Sequence, residues 1–327
     1  MKKLLKVLGG FLALAIIVAI GLVVFINLSW DKDFEAPYPE ITISMDSASI
    51  ARGKYLAFGP AHCATCHVPN DMVVAVDQGA IIPLSGGWEL PIPPATLRAP
   101  NITPDKETGI GKYSDQEIAR ALRHMVSPTG KMLFPLMPFQ NMSDEDVASV
   151  IAFLRSQEPV HNPVPRSDYT FLGKALLTFG ILMPQGPNGT PPKSIKPEAS
   201  IEYGSYIANS VANCNGCHTE RDLKTGEFTG PQLAGGMVMP PDVFTQGFSF
   251  VTPNLTPHQT GIIKDWTEEV FIQRFKAGRI VPTSPMPWGT FAQMNEVELR
   301  ALYRYLNSLD PVDNRIEKVI YEPGEEI

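Results

Sequence analysis

Cysteine is scarce. The chain has four in 327 residues, and all four lie in two five-residue stretches, 63–67 and 214–218. No segment shows the βαβ context of a thioredoxin-like pair, which excludes that reading of closely spaced cysteines. No stretch alternates apolar and polar residues at period two, so strands are not expected. Within 161–198 there is one apolar island, Tyr169 to Met183, and with Lys174 inside it is too short to cross a bilayer. Basic charge is in deficit as well. Beyond residue 28 there are 24 Lys and Arg (27 less Lys2, Lys3 and Lys6) against 34 Asp and Glu. That balance argues against nucleic acid and anionic lipid as partners. It suits a basic docking face on a partner, and it equally suits plain solubility.

What is present is a repeat of the cysteines themselves, as Cys63-Ala64-Thr65-Cys66-His67 and Cys214-Asn215-Gly216-Cys217-His218. The form C-x-x-C-H is the attachment sequence for c-type haem. Two thiols three residues apart can each add to a vinyl group of the porphyrin, and the following His binds the iron. A zinc site is the rival, but its Cys pairs usually stand ~15–20 residues apart. Here the motifs begin at 63 and 214, each with its own His. Two haem c are therefore expected, on Cys63, Cys66, Cys214 and Cys217, with His67 and His218 as iron ligands.

The amino terminus predicts a membrane anchor. Residues 1–6 carry three lysines and read as a cytoplasmic stub, and residues 7–28 carry no charge. At about 1.5 Å per residue that run is long enough for a bilayer core. It exceeds a secretory h-region and is followed by no small-x-small cleavage site, so it reads as an uncleaved signal anchor, with Trp30 at the outer interface. Residues 29–49, with Pro37 and Pro39, read as an extended tether.

Two domain-sized copies follow. Gly53 and Tyr55 precede the first motif as Gly204 and Tyr206 precede the second. Asn101-Ile102-Thr103-Pro104 matches Asn254-Leu255-Thr256-Pro257, and Met137-Pro138-Phe139 matches Met286-Pro287-Trp288. Glu158-Pro159-Val160 matches Asp310-Pro311-Val312. The units run 50–160 and 199–313, each a normal domain size. Ser114, Ser143, Thr267 and Asn295 open helices, with acids in the first turns. Apolar residues then recur at helical spacing, and the last helix of each copy stops before Pro159 or Pro311. The expected fold is all-α with long loops, consistent with 31 prolines. Residues 161–198 form a Pro-rich linker whose apolar island should be a short helix packed on the haem units; contact with a lipid surface is the alternative. Residues 314–327 form an acidic tail.

The distal ligand of each iron is expected to be Met137 or Met286. Both sit in loops stiffened by Pro135, Pro138, Pro285 and Pro287, which hold a thioether at low entropic cost. Met142 and Met294 stand just before a helix, where an apolar staple packs, and read as core. Met125, Met132, Met237 and Met239 have no counterpart and read as gap fillers. His62, His124, His161 and His258 are unpaired between copies and read as structural. Asn101, Asn254, Thr103 and Thr256 suit haem propionates or turn formation equally, and Arg98 and Trp88 also suit propionates.

These motifs, with A-P-N-I-T-P-D-K-E-T-G-I-G, V-T-P-N-L-T-P-H-Q-T-G-I, F-P-L-M-P-F and S-P-M-P-W, carry a resemblance. The chain resembles the membrane-anchored, multi-haem cytochrome c subunits that accompany bacterial alcohol, gluconate and related periplasmic dehydrogenases. The resemblance covers most of residues 50–313. It implies two tandem class I cytochrome c domains, which stand here behind the N-terminal transmembrane helix read above. It also implies a non-enzymatic role, relaying single electrons from a dehydrogenase to an oxidase or soluble cytochrome, in the periplasm at the bacterial inner membrane. The alternative is a dihaem enzyme such as a peroxidase. A haem-based sensor is disfavoured by the short cytoplasmic stub.

Overall fold

The computed structural model describes residues 2–222, 227–241 and 245–327. Met1, the first residue of the expected stub, lies outside the described residues. Helix α1 (Lys2–Ser29) is the only described helix long and apolar enough to cross a membrane. Its side chains are exposed except at Ile26, 2% exposed.

The first copy contains α2 (Ser47–Phe58), α3 (Val73–Asp77), the hairpin β1 (Glu89–Ile92) and β2 (Ala95–Arg98), α4 (Asp115–His124) and α5 (Asp144–Ser156). After it come β3 (Asp168–Tyr169) and α6 (Phe171–Thr178). The second copy is built similarly, with an additional short helix before the last: α7 (Ile201–Tyr206), α8 (Cys214–His218), β4 (Val238–Met239), β5 (Ser249–Val251), α9 (Glu268–Lys276), α10 (Trp288–Phe291) and α11 (Glu296–Asn307). The chain closes with β6 (Ile320–Tyr321).

The all-α expectation is corrected here. Among the described residues six strands form two antiparallel three-stranded sheets, ordered β1-β2-β3 and β4-β5-β6. The strands are two to four residues long, too short to show a period. The third strand of each sheet arrives after the last helix of its copy. Ala95 of β2 pairs with Tyr169, inside the expected linker, and Ser249 of β5 with Tyr321, inside the expected tail.

The helix starts are as the sequence predicts. Ser114 and Glu117 form a reciprocal capping box, and Ser143, Thr267 and Asn295 each accept the amide of the third residue of their helix. Asp46 caps α2 by accepting from Ala48 N and Ser49 N, both 2.9 Å. The Ser44 hydroxyl first, then Ser49 and Ala48, pull its carboxyl down from 3.8 to about 2. A depressed carboxyl contributes stability that is present above the unfolded value and lost as pH falls toward the folded one. Acid unfolding of α2 should therefore steepen between pH 3.8 and about 2. Asp46→Asn keeps a cap and should flatten that limb; urea midpoints that retain the wild-type slope would count against it.

Helix α2 crosses α5 at Gly53. A Cβ there would lie 1.8 Å from Ser149 O and 2.8 Å from Phe153 Cβ. The second copy crosses α7 over α11 at Gly204, where a Cβ would lie 2.0 Å from Ala301 O. One buried apolar cluster runs through both copies, from Leu56, Phe58 and Ile151 to Tyr203, Leu299 and Leu302. The tether residues lie against the first copy. Ile41 is buried in the cluster, Phe34 N donates to Gly130 O (2.8 Å), and Arg120 donates to Tyr38 Oη (2.8 Å). The linker crosses the start of α5, where Asp144 N donates to Pro192 O and Glu145 N to Lys193 O, both 3.0 Å.

The two copies meet reciprocally. Tyr206 Oη of the second donates to Asp146 of the first (2.6 Å), and Tyr55 Oη of the first donates to Glu298 of the second. The amides at the matching helix starts close each contact: Ser143 N donates to Tyr206 Oη (3.0 Å) and Asn295 N to Tyr55 Oη (2.9 Å). Arg52 bridges the two carboxylates, at 2.9 Å from Asp146 and 3.3 Å from Glu298.

Candidate functional site

The two C-x-x-C-H stretches occupy matching turns. The first opens as a 3₁₀ turn, Cys63–Thr65, and the second as α8. Each is preceded by a non-glycine residue in the left-handed region, His62 at φ 41° and Asn213 at φ 55°. That kink ends the incoming helix and starts the motif in a new direction. Cys66 N and His67 N both donate to Cys63 O, at 3.2 and 2.9 Å, so the turn carries both thiols and the imidazole on one short frame.

Each imidazole is locked from behind. His67 Nδ1 lies 2.9 Å from Pro100 O, and His218 Nδ1 lies 3.1 Å from Pro253 O. A carbonyl only accepts, so Nδ1 carries the proton and Nε2 keeps its lone pair. That is the arrangement a metal-binding His takes, with the second nitrogen tied to a backbone oxygen. Burial lowers the pKa of both rings, and the carbonyl contact opposes it. The neutral imidazole is the ligand form.

The locking carbonyls are set by residues that the sequence reading left undecided. Asn101 is 2% exposed; its Oδ1 accepts from Thr103 N (3.0 Å) and Thr103 Oγ1 (2.7 Å), and its Nδ2 donates to Val160 O (2.7 Å). Asn254 repeats this with Thr256 N (2.9 Å), Thr256 Oγ1 (2.8 Å) and Val312 O (2.9 Å). Of the two readings of Asn-x-Thr-Pro, the turn is the one built, and it pins the loop that presents the Pro carbonyl. Arg98 is engaged by Glu89, Asp168 and Arg166 O, all within the sheet region.

A further pair went unread. Gly86 N donates to His67 O (2.9 Å) and Gly235 N to His218 O (2.7 Å). Both glycines have positive φ, 72° and 74°, and a Cβ on either would lie 2.4–2.5 Å from the Pro100 or Pro253 carbonyl carbon. Each glycine thus brings the His turn against the locking loop. The paired Ser85-Gly86-Gly87 and Ala234-Gly235-Gly236 were the available signal.

The four cysteines form no disulfide and are half-buried. Burial pushes the Cys63, Cys66 and Cys214 thiols up to about 12, and Cys217 up as well. Among the described residues no three His, Cys, Asp or Glu side chains gather as a metal cluster, so the two Cys pairs do not join in one zinc site. The donor set instead fits a covalently held haem in each turn.

Met137 and Met286 lie in matching loops and pack, with Cys63 and Cys214, against the shared core. Met142 and Met294 are buried, 1% and 0% exposed, as expected for staples. The two loops are braced differently. Behind Met137, Arg123 donates to Gln140 O (2.8 Å) within the same copy. Around Met286, the first copy intervenes: Asp77 accepts from Gly289 N (3.0 Å) and Arg279 Nη2 (2.8 Å), and Arg279 donates to Ser284 O. Ser284 Oγ in turn accepts from Trp288 Nε1 (3.2 Å), while Arg274 sits 3.5 Å over the Trp288 ring. His62 packs edge-on against Phe291 at 5.6 Å; His161 lies near Asp105 and Glu107; and His258 pairs with Thr260.

Residues 50–158 match the family described as Cytochrome c, and this stretch is a cytochrome c domain, with the covalently bound haem c that such a domain implies. The chain is similar to named cytochrome subunits of dehydrogenases. It is 29% identical over 301 residues to the "Alcohol dehydrogenase (quinone), cytochrome c subunit" of Gluconacetobacter polyoxogenes, covering 86% of this chain and 60% of that protein. It is 27% identical over 273 residues to the "Fructose dehydrogenase cytochrome subunit" of Gluconobacter japonicus, covering 80% and 52%. It is 27% identical over 292 residues to the "Diheme cytochrome c-type" of Cereibacter sphaeroides, covering 84% and 90%. The chain thus spans half to three-fifths of the length of the two dehydrogenase subunits and most of the dihaem protein.

Proposed function

We propose that this chain is a membrane-anchored dihaem c-type cytochrome that relays single electrons from a periplasmic dehydrogenase to the respiratory chain. The observation that carries it is the repetition of one apparatus: a half-buried Cys pair, a His whose Nδ1 is bound to a Pro carbonyl, and a Pro-flanked Met loop. On this reading α1 crosses the inner membrane and the two units, 50–160 and 199–313, are tandem cytochrome c domains in the periplasm. Strands β3 and β6 extend those units by a few residues each. Dehydrogenase partners are supported by the names of the relatives; the acidic exterior fits a basic docking face on a partner.

Haem, when bound, supplies the one-electron couple. The chain does the rest. Cys63 and Cys66, with Cys214 and Cys217, would hold the porphyrins; His67 and His218 would offer Nε2 to the iron, and Met137 and Met286 would offer their thioethers. The Pro100 and Pro253 carbonyls keep both imidazoles in one tautomer and one orientation, so oxidation-state changes require little rearrangement of the ligand. The shared apolar core keeps water away from the site. The chain itself converts no substrate.

Three measurements on the purified full chain test this. Alkaline pyridine haemochrome should count two haems per chain; one would overturn the dihaem reading. Met137→Ala and Met286→Ala should each remove half of the far-red methionine–iron charge-transfer band and open one iron to CO. A band unchanged in either variant would reassign that ligand. Rapid turnover of hydrogen peroxide with a reduced donor would favour the peroxidase reading instead.

A further inference from the structure

The apolar island of the linker packs on the hairpin of the first copy, where Thr170 N donates to Pro94 O (3.0 Å), and in addition on α1. Helix α6 caps the outer end of α1. Lys174 Nζ donates to Asn27 Oδ1 (3.1 Å), Lys32 Nζ to Thr178 O (2.6 Å) and Thr178 Oγ1 to Ile26 O (3.5 Å). The Trp30 ring lies 5.6 Å from Tyr169, and the Lys174 ammonium lies 5.4 Å over Trp30. Leu177, at 4% exposure, and Ile26 are buried in this corner.

The opposite side is open and apolar. Phe171, Leu172, Phe179, Ile181 and Met183 are 47–57% exposed, five large apolar side chains within thirteen residues. The patch sits beside the exposed end of α1, where Phe25 and Leu28 are 53% and 81% exposed. Between Thr170 and Met183 the only charge is Lys174, and it is turned toward α1.

We propose that α6 and the turn after it form a second membrane-contacting element, lying in the outer interface with Phe171, Leu172, Phe179, Ile181 and Met183 in the headgroup–acyl boundary. The occupant is lipid, because the patch continues the flank of a helix whose own partner is lipid. The inference rests on α1 spanning the bilayer. The residue types agree: Trp30 and Tyr169 mark the polar–apolar boundary, and Lys32 and Lys174 stand at the same level. The element is also fixed to the first copy. Strand β3 pairs with β2 directly before α6, and on the other side Arg166 pairs with Asp31 (2.9 Å) and Lys131 with Asp33 (2.8 Å). The footing therefore sets the attitude of the first copy to the membrane.

The test uses the full chain in phosphatidylethanolamine–phosphatidylglycerol vesicles, with Phe179→Trp and Ile181→Trp as reporters and Phe25→Trp as the α1 control. Fluorescence is compared with the parent chain under acyl-brominated lipid and under aqueous iodide. Brominated lipid should quench positions 179 and 181 severalfold more than unbrominated lipid, with iodide having little effect. Quenching at 25 alone, with iodide reaching 179 and 181, overturns the second element and leaves the anchor standing. Quenching at 25 alone, with neither agent reaching 179 and 181, places protein on the face and overturns it too. No lipid quenching at any position removes the anchor and this inference together.

Discussion

Gly204→Ala should unfold the second copy at markedly lower denaturant than wild type, and Gly53→Ala the first. In an open helix the exchange of Gly for Ala is favourable by about 1 kcal/mol, through intrinsic propensity. Here the added methyl meets backbone, at 2.0 Å from Ala301 O or 1.8 Å from Ser149 O. Carbonyls inside a helix cannot step aside like a side-chain tip, so the two helices of the crossing must separate. Overpacking of a core costs typically ~1–3 kcal/mol, and a forced helix separation belongs at or above the top of that range. The clash wins, and a net loss of about 3 kcal/mol is expected for each variant. Urea unfolding followed by circular dichroism reads it directly. A midpoint equal to or above wild type would mean that the crossing relaxes freely, contrary to the close packing described.

Glu298→Ala should cost about 3–5 kcal/mol, the usual result of removing one partner of a buried ion pair. Glu298 is fully buried and accepts from Arg52, Tyr55 and Tyr203, the last at 3.1 Å. Burial first, and the Glu298 charge second, push the Tyr55 and Tyr203 hydroxyls well above their ordinary range, so both remain donors. Truncation strands the buried Tyr203 hydroxyl and the half-buried Tyr55 hydroxyl, while Arg52 keeps Asp146. Each costs ~1–3 kcal/mol unless water enters. Tyr55→Phe removes one donor and leaves the carboxylate two others, so it should cost about 1 kcal/mol. Because the contact joins the copies, Glu298→Ala should also widen the gap between the denaturant midpoints of the two copies. A gap unchanged from wild type would show that the copies are coupled elsewhere.

The duplication and the cysteine motifs were legible because they rest on identity and spacing, which survive without coordinates. So were the helix starts, since Ser114, Ser143, Thr267 and Asn295 act on neighbours three residues away. The strands were not. Two to four residues leave no period, Pro91 sits within β1, and β3 and β6 come from segments that read as connectors. Tyr55 and Tyr206 were visible as a matched pair, but which surfaces face each other is not written in a one-dimensional pattern. The role of Asn101 and Asn254 failed to resolve for a related reason: the residue that benefits, His67 or His218, lies over thirty positions upstream. The Tyr169–Met183 island was expected to be a short helix on the haem units; it is helical from Phe171 to Thr178 and touches the first copy at Pro94, and its contact with α1 was not foreseen.

The contacts of Asp144 N and Glu145 N with Pro192 O and Lys193 O bear on how the halves can be taken apart. The first amides of a helix have no partner of their own within it. In α5 two of them are satisfied by the stretch that leads onward to the second half. A protease nick or a recloning junction near residue 190 would leave that end of α5 bare. Severing the chain in the middle would therefore not release two intact modules; it would injure the upstream one at its closing helix.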